Sequence, residues 1–371
     1  MNEKRWVSIA SSVKSAIQSG ELKAGARIAS DIEMASQWRV SPVTVQRAMS
    51  ELHREGWVIR RRKFGTVVAD LSERSLTKIA LVFPHMSEKP QSTYLRGIED
   101  SLADKYHLVP LDSRSNPKDE AKCLEQAARD CQAVICYPGG SPENTALLNK
   151  IAARLPLVLV DRCADGVEAD TVTTDNYGSM LLGLKHLYMR GHRRIGYILG
   201  DHDNVSSVRD RCQAYRQFME FEIGLSDPER WERKYPTVYT GWEPYAKWSE
   251  EVLAEMLNGP EPPTAIVCPQ DADIFAVIDA CVHLNIRISQ DLSLLSFYDT
   301  GVNLPMSRYI DRLVQRPIEM GHLAAHRIEQ GLRSSTRLPP QKMTLMCDLF
   351  AAETHVPGPH ATAFLNRRQR H

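Results

Sequence analysis

Seven short apolar runs recur between residues 78 and 298: KIALVFP, HLVPLD, AVICYP, LPLVLVD, RIGYILG, TAIVCP and LSLLSFY. Each is too short for a helix, and most lack the alternation of a strand with one wet face. Helical segments separate them. Continuous apolar strands spaced by helices are the pattern of parallel sheets covered on both faces. One small sheet cannot hold so many units. The pattern therefore predicts an α/β body of two doubly wound parallel sheets in two lobes. A ligand cleft is expected where the strand C-termini of the lobes face each other.

The first 70 residues follow a different rule. Residues 5–19, RWVSIASSVKSAIQS, place Trp6, Ile9, Ala10, Val13, Ala16 and Ile17 at helical spacing, and Gly20 follows as a stop. Ser30 caps a second helix through Gln37, with Ile32, Met34 and Ala35 giving an apolar side and Asp31 and Glu33 in its first turn. Ser41-Pro42 opens a third helix that runs to about Glu55 and turns Val45, Ala48, Met49 and Leu52 inward. Residues 57–61 and 65–69 read as two strands around a Lys63-Phe64-Gly65 turn. Three helices and a hairpin predict a winged helix-turn-helix over 1–69. A polar linker is expected at 70–77, the two-lobed domain at 78–354 and a disordered basic tail at 355–371. Lobe 1 is expected at about 78–161 and 315–333, and lobe 2 at about 162–314 and 336–354. Crossovers then fall near Asp161 and Arg162, Val314 and Gln315, and Ser334 to Thr336.

Charge separates these parts. The whole chain balances 46 Lys+Arg against 46 Asp+Glu, but residues 1–70 carry 12 against 7, leaving 34 against 39 beyond them. A basic module on a mildly acidic body implies a polyanionic partner for the first part only. Arg60, Arg61, Arg62 and Lys63 sit at the hairpin, where phosphate neutralisation needs them. The eight cysteines form no CxxC pair and read as buried, reduced thiols. No secretion signal and no apolar run of about 18 residues is present, so a cytoplasmic protein without membrane contact is expected. No cofactor or metal is expected; Pro138-Gly139-Gly140-Ser141 lacks the lysine of a phosphate loop, and His192 and His202 lack a ligand pattern.

The head resembles the DNA-binding domain of GntR-type bacterial regulators. SGELKAGARI (19–28), the Ser30-Asp31 cap, VSPVTVQRAMSELHREGWV (40–58) and RRRKFGTVV (60–68) carry the resemblance. The body resembles the effector domain of the LacI/GalR family, related to periplasmic sugar-binding proteins. It does so through YLRGIEDSL (94–102), PLVLVDR (156–162), VTTDNYGSMLLGLKHLYMRGHRRIGYILG (172–200), PTAIVCPQDADIFAVIDA (263–280), ISQDLSLLSFYDT (288–300) and RLVQRPIEMGHLAAHRI (312–328). The combination is similar to transcription factors of the arabinose-repressor type.

The resemblance implies a third helix in the major groove of a DNA operator and a wing at the neighbouring backbone and minor groove. DNA-binding candidates are Ser30, Ser41, Thr44, Gln46, Arg47, Arg60, Arg61, Arg62, Lys63, Gly65 and Thr66. The arginines such heads carry are replaced here by Ile32, Pro42 and Gln46, and the wing-tip glycine by Lys63. Gln46 can bond adenine N6 and N7 bidentately. Effector candidates are Asp161, Arg162, Arg211, Trp242, Gln270, Asp271, Tyr298, Asp299 and Gln315. They offer planar donors, acceptors and an aromatic face, which suits a carbohydrate. A homodimer is expected, paired through apolar helix faces around residues 98–102 and Leu284. The alternative is a cytoplasmic small-molecule receptor without DNA regulation, which the basic head disfavours. A third reading, an enzyme, finds no Ser-His-Asp, Cys-His or Schiff-base lysine arrangement.

Overall fold

The computed structural model describes residues 3–54, 56–61, 65–69, 77–200, 205–236, 241–298 and 305–353. The chain divides into two units, 1–76 and 77–371.

In the first unit, α1 (Glu3–Gln18), α2 (Asp31–Trp38) and α3 (Pro42–Arg54) precede the antiparallel pair β1 (Val58–Arg61) and β2 (Gly65–Val68). Gly20 takes φ +79°, the left-handed stop that its place after α1 calls for. Ser30 and Glu33 form a reciprocal capping box on α2. At α3, Ser41 Oγ accepts the Thr44 amide at 3.3 Å and pairs with Thr44 Oγ1 at 2.8 Å. Arg27 adds a bridge to Val67, so the wing is backed by a third short strand. Ile9, Val13, Val45, Met49, Leu52, Trp57 and Val68 close one core. The helix phases expected from the sequence are observed in α1 and α3; in α2, Met34 and Ala35 are buried, but Ile32, expected on the same apolar side, is 75% exposed.

The second unit holds two six-stranded sheets. The first contains β3 (Lys78–Phe83), β4 (His107–Asp112), β5 (Ala133–Cys136), β6 (Leu157–Val160), β7 (Asp170–Thr174) and β13 (Lys342–Leu345), in the spatial order β13-β7-β6-β5-β3-β4, all parallel. The second contains β8 (Ile195–Leu199), β9 (Glu232–Lys234), β10 (Ala265–Cys268), β11 (Ser293–Tyr298), β12 (Asp311–Val314) and β14 (Asp348–Phe350), in the order β14-β12-β11-β10-β8-β9. Only the edge strand β14 runs antiparallel. In both, the chain starts inside the sheet, steps to one edge, then returns to build the other side. That places the topological switch points at β3/β5 and β8/β10, and ligand crevices form at such points.

Two of the three expected crossovers are corrected. Strand β7 pairs with β6, and β13 with β7, so residues 162–174 and 336–345 belong to the first lobe. The chain crosses at Asp175, which caps α7 (Asn176–Met189) through the Gly178 amide, at residues 315–316, as expected, and at residues 346–347. The linker at 70–76 and the tail at 355–371 lie outside the described residues.

In lobe 1, α4 (Gln91–Leu102) crosses α11 (Pro317–Arg333) at glycines. A Cβ on Gly97 would lie 2.2 Å from the Ile318 carbonyl oxygen, and one on Gly321 would lie 2.4 Å from that of Tyr94. This contact buries Ile98 and Leu102 against Met320, Ala324 and Ile328. The helix face around 98–102 is therefore core and is not available for pairing two chains. All eight cysteines are free thiols. No helix among the described residues is long and apolar enough to cross a membrane.

Candidate functional site

The DNA-binding candidates fall on three elements of the head. Ser30, Ser41 and Thr44 are committed to caps through their hydroxyls. Gln46 and Arg47 are exposed on α3, where Val45, Ala48 and Met49 take the buried phase. The Arg47 guanidinium lies 4.9 Å from the Trp6 ring centre. Arg60 is exposed on β1 opposite Thr66, and Gly65 takes φ +84° at the start of β2, a conformation glycine tolerates without strain. Arg61 lies opposite Gly65 in the ladder; its side chain, Arg62 and Lys63 lie outside what is described.

Five of the effector candidates follow C-terminal strand ends: Asp161 and Arg162 after β6, Gln270 and Asp271 after β10, and Gln315 after β12. In lobe 1, Asp161 follows β6 with φ +70° and is buried. Its carboxylate accepts the Tyr94 hydroxyl at 2.6 Å, and Arg162 sits 3.6 Å from its other oxygen and 4.9 Å from the Tyr137 ring centre. Tyr137 follows β5, so acid, base and two phenols converge at one end of the first sheet.

In lobe 2, Arg211 projects from α8 (Ser206–Phe221) and is only 4% exposed. Nε donates to Asn176 Oδ1 at 2.8 Å, Nη1 donates to the Pro269 carbonyl at 2.5 Å, and the guanidinium lies 3.7 Å from the Phe297 ring centre. It thereby joins α7, α8 and the end of β10. Gln270 caps α10 (Asp271–His283) without a side-chain cap bond, and its buried Nε2 makes no hydrogen bond of normal geometry. Asp271 occupies the first turn of that helix. Trp242 opens α9 (Trp242–Asn258) and is 41% exposed. Gln315 is buried at the middle crossover, where its Oε1 accepts the Thr174 hydroxyl from the end of β7. It ties the lobes together and so reads as a hinge residue. Tyr298 ends β11, and its side chain and Asp299 lie outside what is described. Across the lobes, Arg209 of α8 also grips Asp165 through two 2.7 Å bonds, and Ser206 Oγ accepts the Cys163 amide.

Sequence reasoning missed Asp273. It is fully buried, and its Oδ1 accepts the Tyr245 hydroxyl at 2.6 Å and the Gly200 amide at 3.0 Å. One carboxylate thus links the end of β8, α9 and α10 behind the β8/β10 switch point. Burial pushes its pKa up to about 7, against the bonds from Tyr245 and Gly200, the Gln270 amide and the positive charge of Arg211. The signal was present in the sequence: Asp273 shares a helical phase with Ala276, Val277 and Ala280, an acid on an apolar stripe.

This sets a pH dependence. A carboxyl whose folded pKa lies above its unfolded value stabilises fully below the unfolded value, near 4, and that contribution is lost as pH rises through about 7. The linkage amounts to roughly 4 kcal/mol at most. Asp273→Asn should flatten the fall in body stability between pH 5 and pH 8, measured by urea unfolding. An unchanged pH slope would show that Asp273 does not titrate in this range.

The fold is a two-lobed α/β body of two parallel sheets in a chain that begins with a winged helix-turn-helix. Residues 7–68 match the family described as bacterial regulatory proteins, gntR family, and residues 184–351 match the periplasmic binding protein-like domain. The chain thus combines a GntR-type DNA-binding domain with a periplasmic-binding-protein-like domain. It is 26% identical over 344 residues to the arabinose metabolism transcriptional repressor of Geobacillus stearothermophilus, covering 88% of this chain and 90% of that one. It is 25% identical over 246 residues to the transcriptional regulator GalR of Escherichia coli strain K12, covering 65% and 66%. Among solved structures, the regulator CcpA of Lactococcus lactis superposes with a TM-score of 0.62 at 19% identity, over 76% of this chain and all of that one. A CelR–cellobiose complex gives a TM-score of 0.62 at 19% identity, over 85% and 91%.

Proposed function

We propose that this protein is a cytoplasmic transcription regulator, a repressor by class, whose binding to an operator is set by a small polar ligand between the two lobes. The ligand class is a sugar or sugar derivative. The observation that carries this reading is the joining, in one chain, of a basic winged head to a body whose polar groups gather at the C-terminal strand ends of both sheets. The matched relatives are named as repressors and regulators, and one structural neighbour holds cellobiose. Arg211 and Gln270 from lobe 2, with Asp161 and Arg162 from lobe 1, supply the polar contacts; Trp242 supplies a stacking face. A gel shift on DNA upstream of the protein's own gene, with and without a sugar panel, tests the reading. Retardation that one sugar changes supports it; no retardation under any condition contradicts it.

The wing meets phosphates on this account. Replacing Arg60 and Arg61 together with alanine should weaken binding to all DNA alike and flatten the log–log salt dependence by about one to two units. An unchanged slope would remove the wing from the phosphate contacts.

Two heads on a two-fold body read a palindrome, whereas one head spans too few base pairs for a specific site. The regulator is therefore a homodimer. The buried face at 98–102 cannot supply the contact, whereas Val282, 63% exposed at the end of α10, and half-buried Leu284 can. Sedimentation at micromolar concentration should give twice the 41.9 kDa chain mass. A single species at the chain mass would contradict it.

A further inference from the structure

The inference concerns what α3 reads, and it rests on the DNA-binding reading above. Val43 is 72% exposed on the first turn of α3 and packs into no part of the head core. Exposed valine is a poor helix residue, because its β-branch restricts χ1 without gaining burial. Gln46 follows one turn later and is exposed, as is Ser50 after it. At 100° per residue, positions 43, 46 and 50 fall within one narrow arc, opposite the buried Val45, Ala48, Met49 and Leu52. The neighbours on this arc are turned to other partners. Thr44 Oγ1 is bonded to Ser41, and the Arg47 guanidinium lies over Trp6. The middle of the outward face therefore presents a rigid apolar fork and, about 5–6 Å along, a planar amide.

We infer that this face reads consecutive A·T pairs, with the Gln46 amide on adenine N6 and N7 and the Val43 methyls against the 5-methyl of a neighbouring thymine. The major groove offers one apolar group, the thymine methyl, and one donor–acceptor pair that fits a carboxamide, the adenine edge. Stacked base pairs are spaced closely enough for residues one turn apart to meet neighbouring pairs. The positive charge that holds a helix against DNA is present on the same unit in exposed Arg39 and Arg60.

The test uses the full-length protein. Bound duplexes are selected from a random DNA pool and sequenced, and affinity for the enriched duplex is measured by fluorescence anisotropy. Deoxyuridine then replaces each thymine in turn, which removes only the 5-methyl. Adjacent A·T pairs should be enriched in each half-site. At one thymine per half-site, deoxyuridine should weaken wild-type binding about fourfold, or about 15-fold when both half-sites are changed. Val43→Ala should bind the thymine and deoxyuridine duplexes equally, and Gln46→Ala should lose the preference for adenine next to that thymine. Val43 is exposed, so the variant's thermal unfolding should match that of the wild type. Enrichment of a site at which no deoxyuridine weakens binding overturns this inference and leaves the DNA-binding reading standing, as does equal methyl sensitivity in Val43→Ala. A pool with no enriched sequence overturns both.

Discussion

Replacing Gly321 with alanine should cost the body about 3 kcal/mol or more, the upper end of what overpacking costs. The added methyl would sit 2.4 Å from the Tyr94 carbonyl oxygen and 3.0 Å from the Gly97 Cα. Both obstacles are backbone, so no rotamer change relieves them; α4 and α11 must separate. Separation opens the core around Tyr94, Ile98, Met320 and Ala324, and each of these is fully buried. It also moves Tyr94, whose hydroxyl holds Asp161 at the end of β6. Effector affinity should therefore fall along with stability. Urea unfolding, followed by body fluorescence, measures the first effect. A loss below about 0.5 kcal/mol would mean that the helices part freely, and that their close crossing does not hold lobe 1.

Arg211→Ala should lower effector affinity by roughly 2–4 kcal/mol, because a charge-assisted contact is lost and its ligand partner stays desolvated. The same change exposes a second role. Arg211 also satisfies Asn176 and the Pro269 carbonyl and covers Phe297. Truncation should therefore lower the unfolding temperature as well. Arg211→Lys separates the two roles. It keeps the charge and much of the packing but cannot make the planar bidentate contact. Ligand loss in the lysine variant with near-normal stability places Arg211 on the ligand. Normal calorimetric affinity in both variants would make Arg211 purely structural, and Gln270 and Trp242 would have to be reconsidered with it.

The head was legible in the sequence almost residue by residue, because its signals are local: Ser30 and Ser41 as caps, Gly20 as a stop, and apolar residues at helical spacing. The apolar strands were legible for the same reason. Strand β7 was not, because it reads DTVTT; its threonines favour a strand and are buried, but with a single apolar residue it lacks the continuous apolar run that marked the other strands. The β13 edge strand, KMTL, is short and half-exposed. Missing both shifted two crossovers: the first is fixed by the pairing of β7 with β6, the last by the pairing of β13 with β7, 171 residues apart. The Arg211 cluster has the same character. Its type and place were visible, but Asn176 and Pro269 lie 35 and 58 residues away. The glycine crossing was hidden too, because nothing in the sequence says which backbone a glycine meets.

The central claim is that a ligand in the body and an operator on the head are coupled through one molecule. Coupling of this kind is reciprocal: the factor by which a ligand changes operator affinity must equal the factor by which the operator changes ligand affinity. The most direct measurement is calorimetric titration of the sugar that the gel shift identifies into the full-length protein, free and saturated with operator. The affinity should change on adding operator, typically 5- to 150-fold, and by the same factor that anisotropy gives for the operator with and without sugar. Identical sugar affinity in the free and operator-bound protein would contradict the account, however tightly each ligand binds alone.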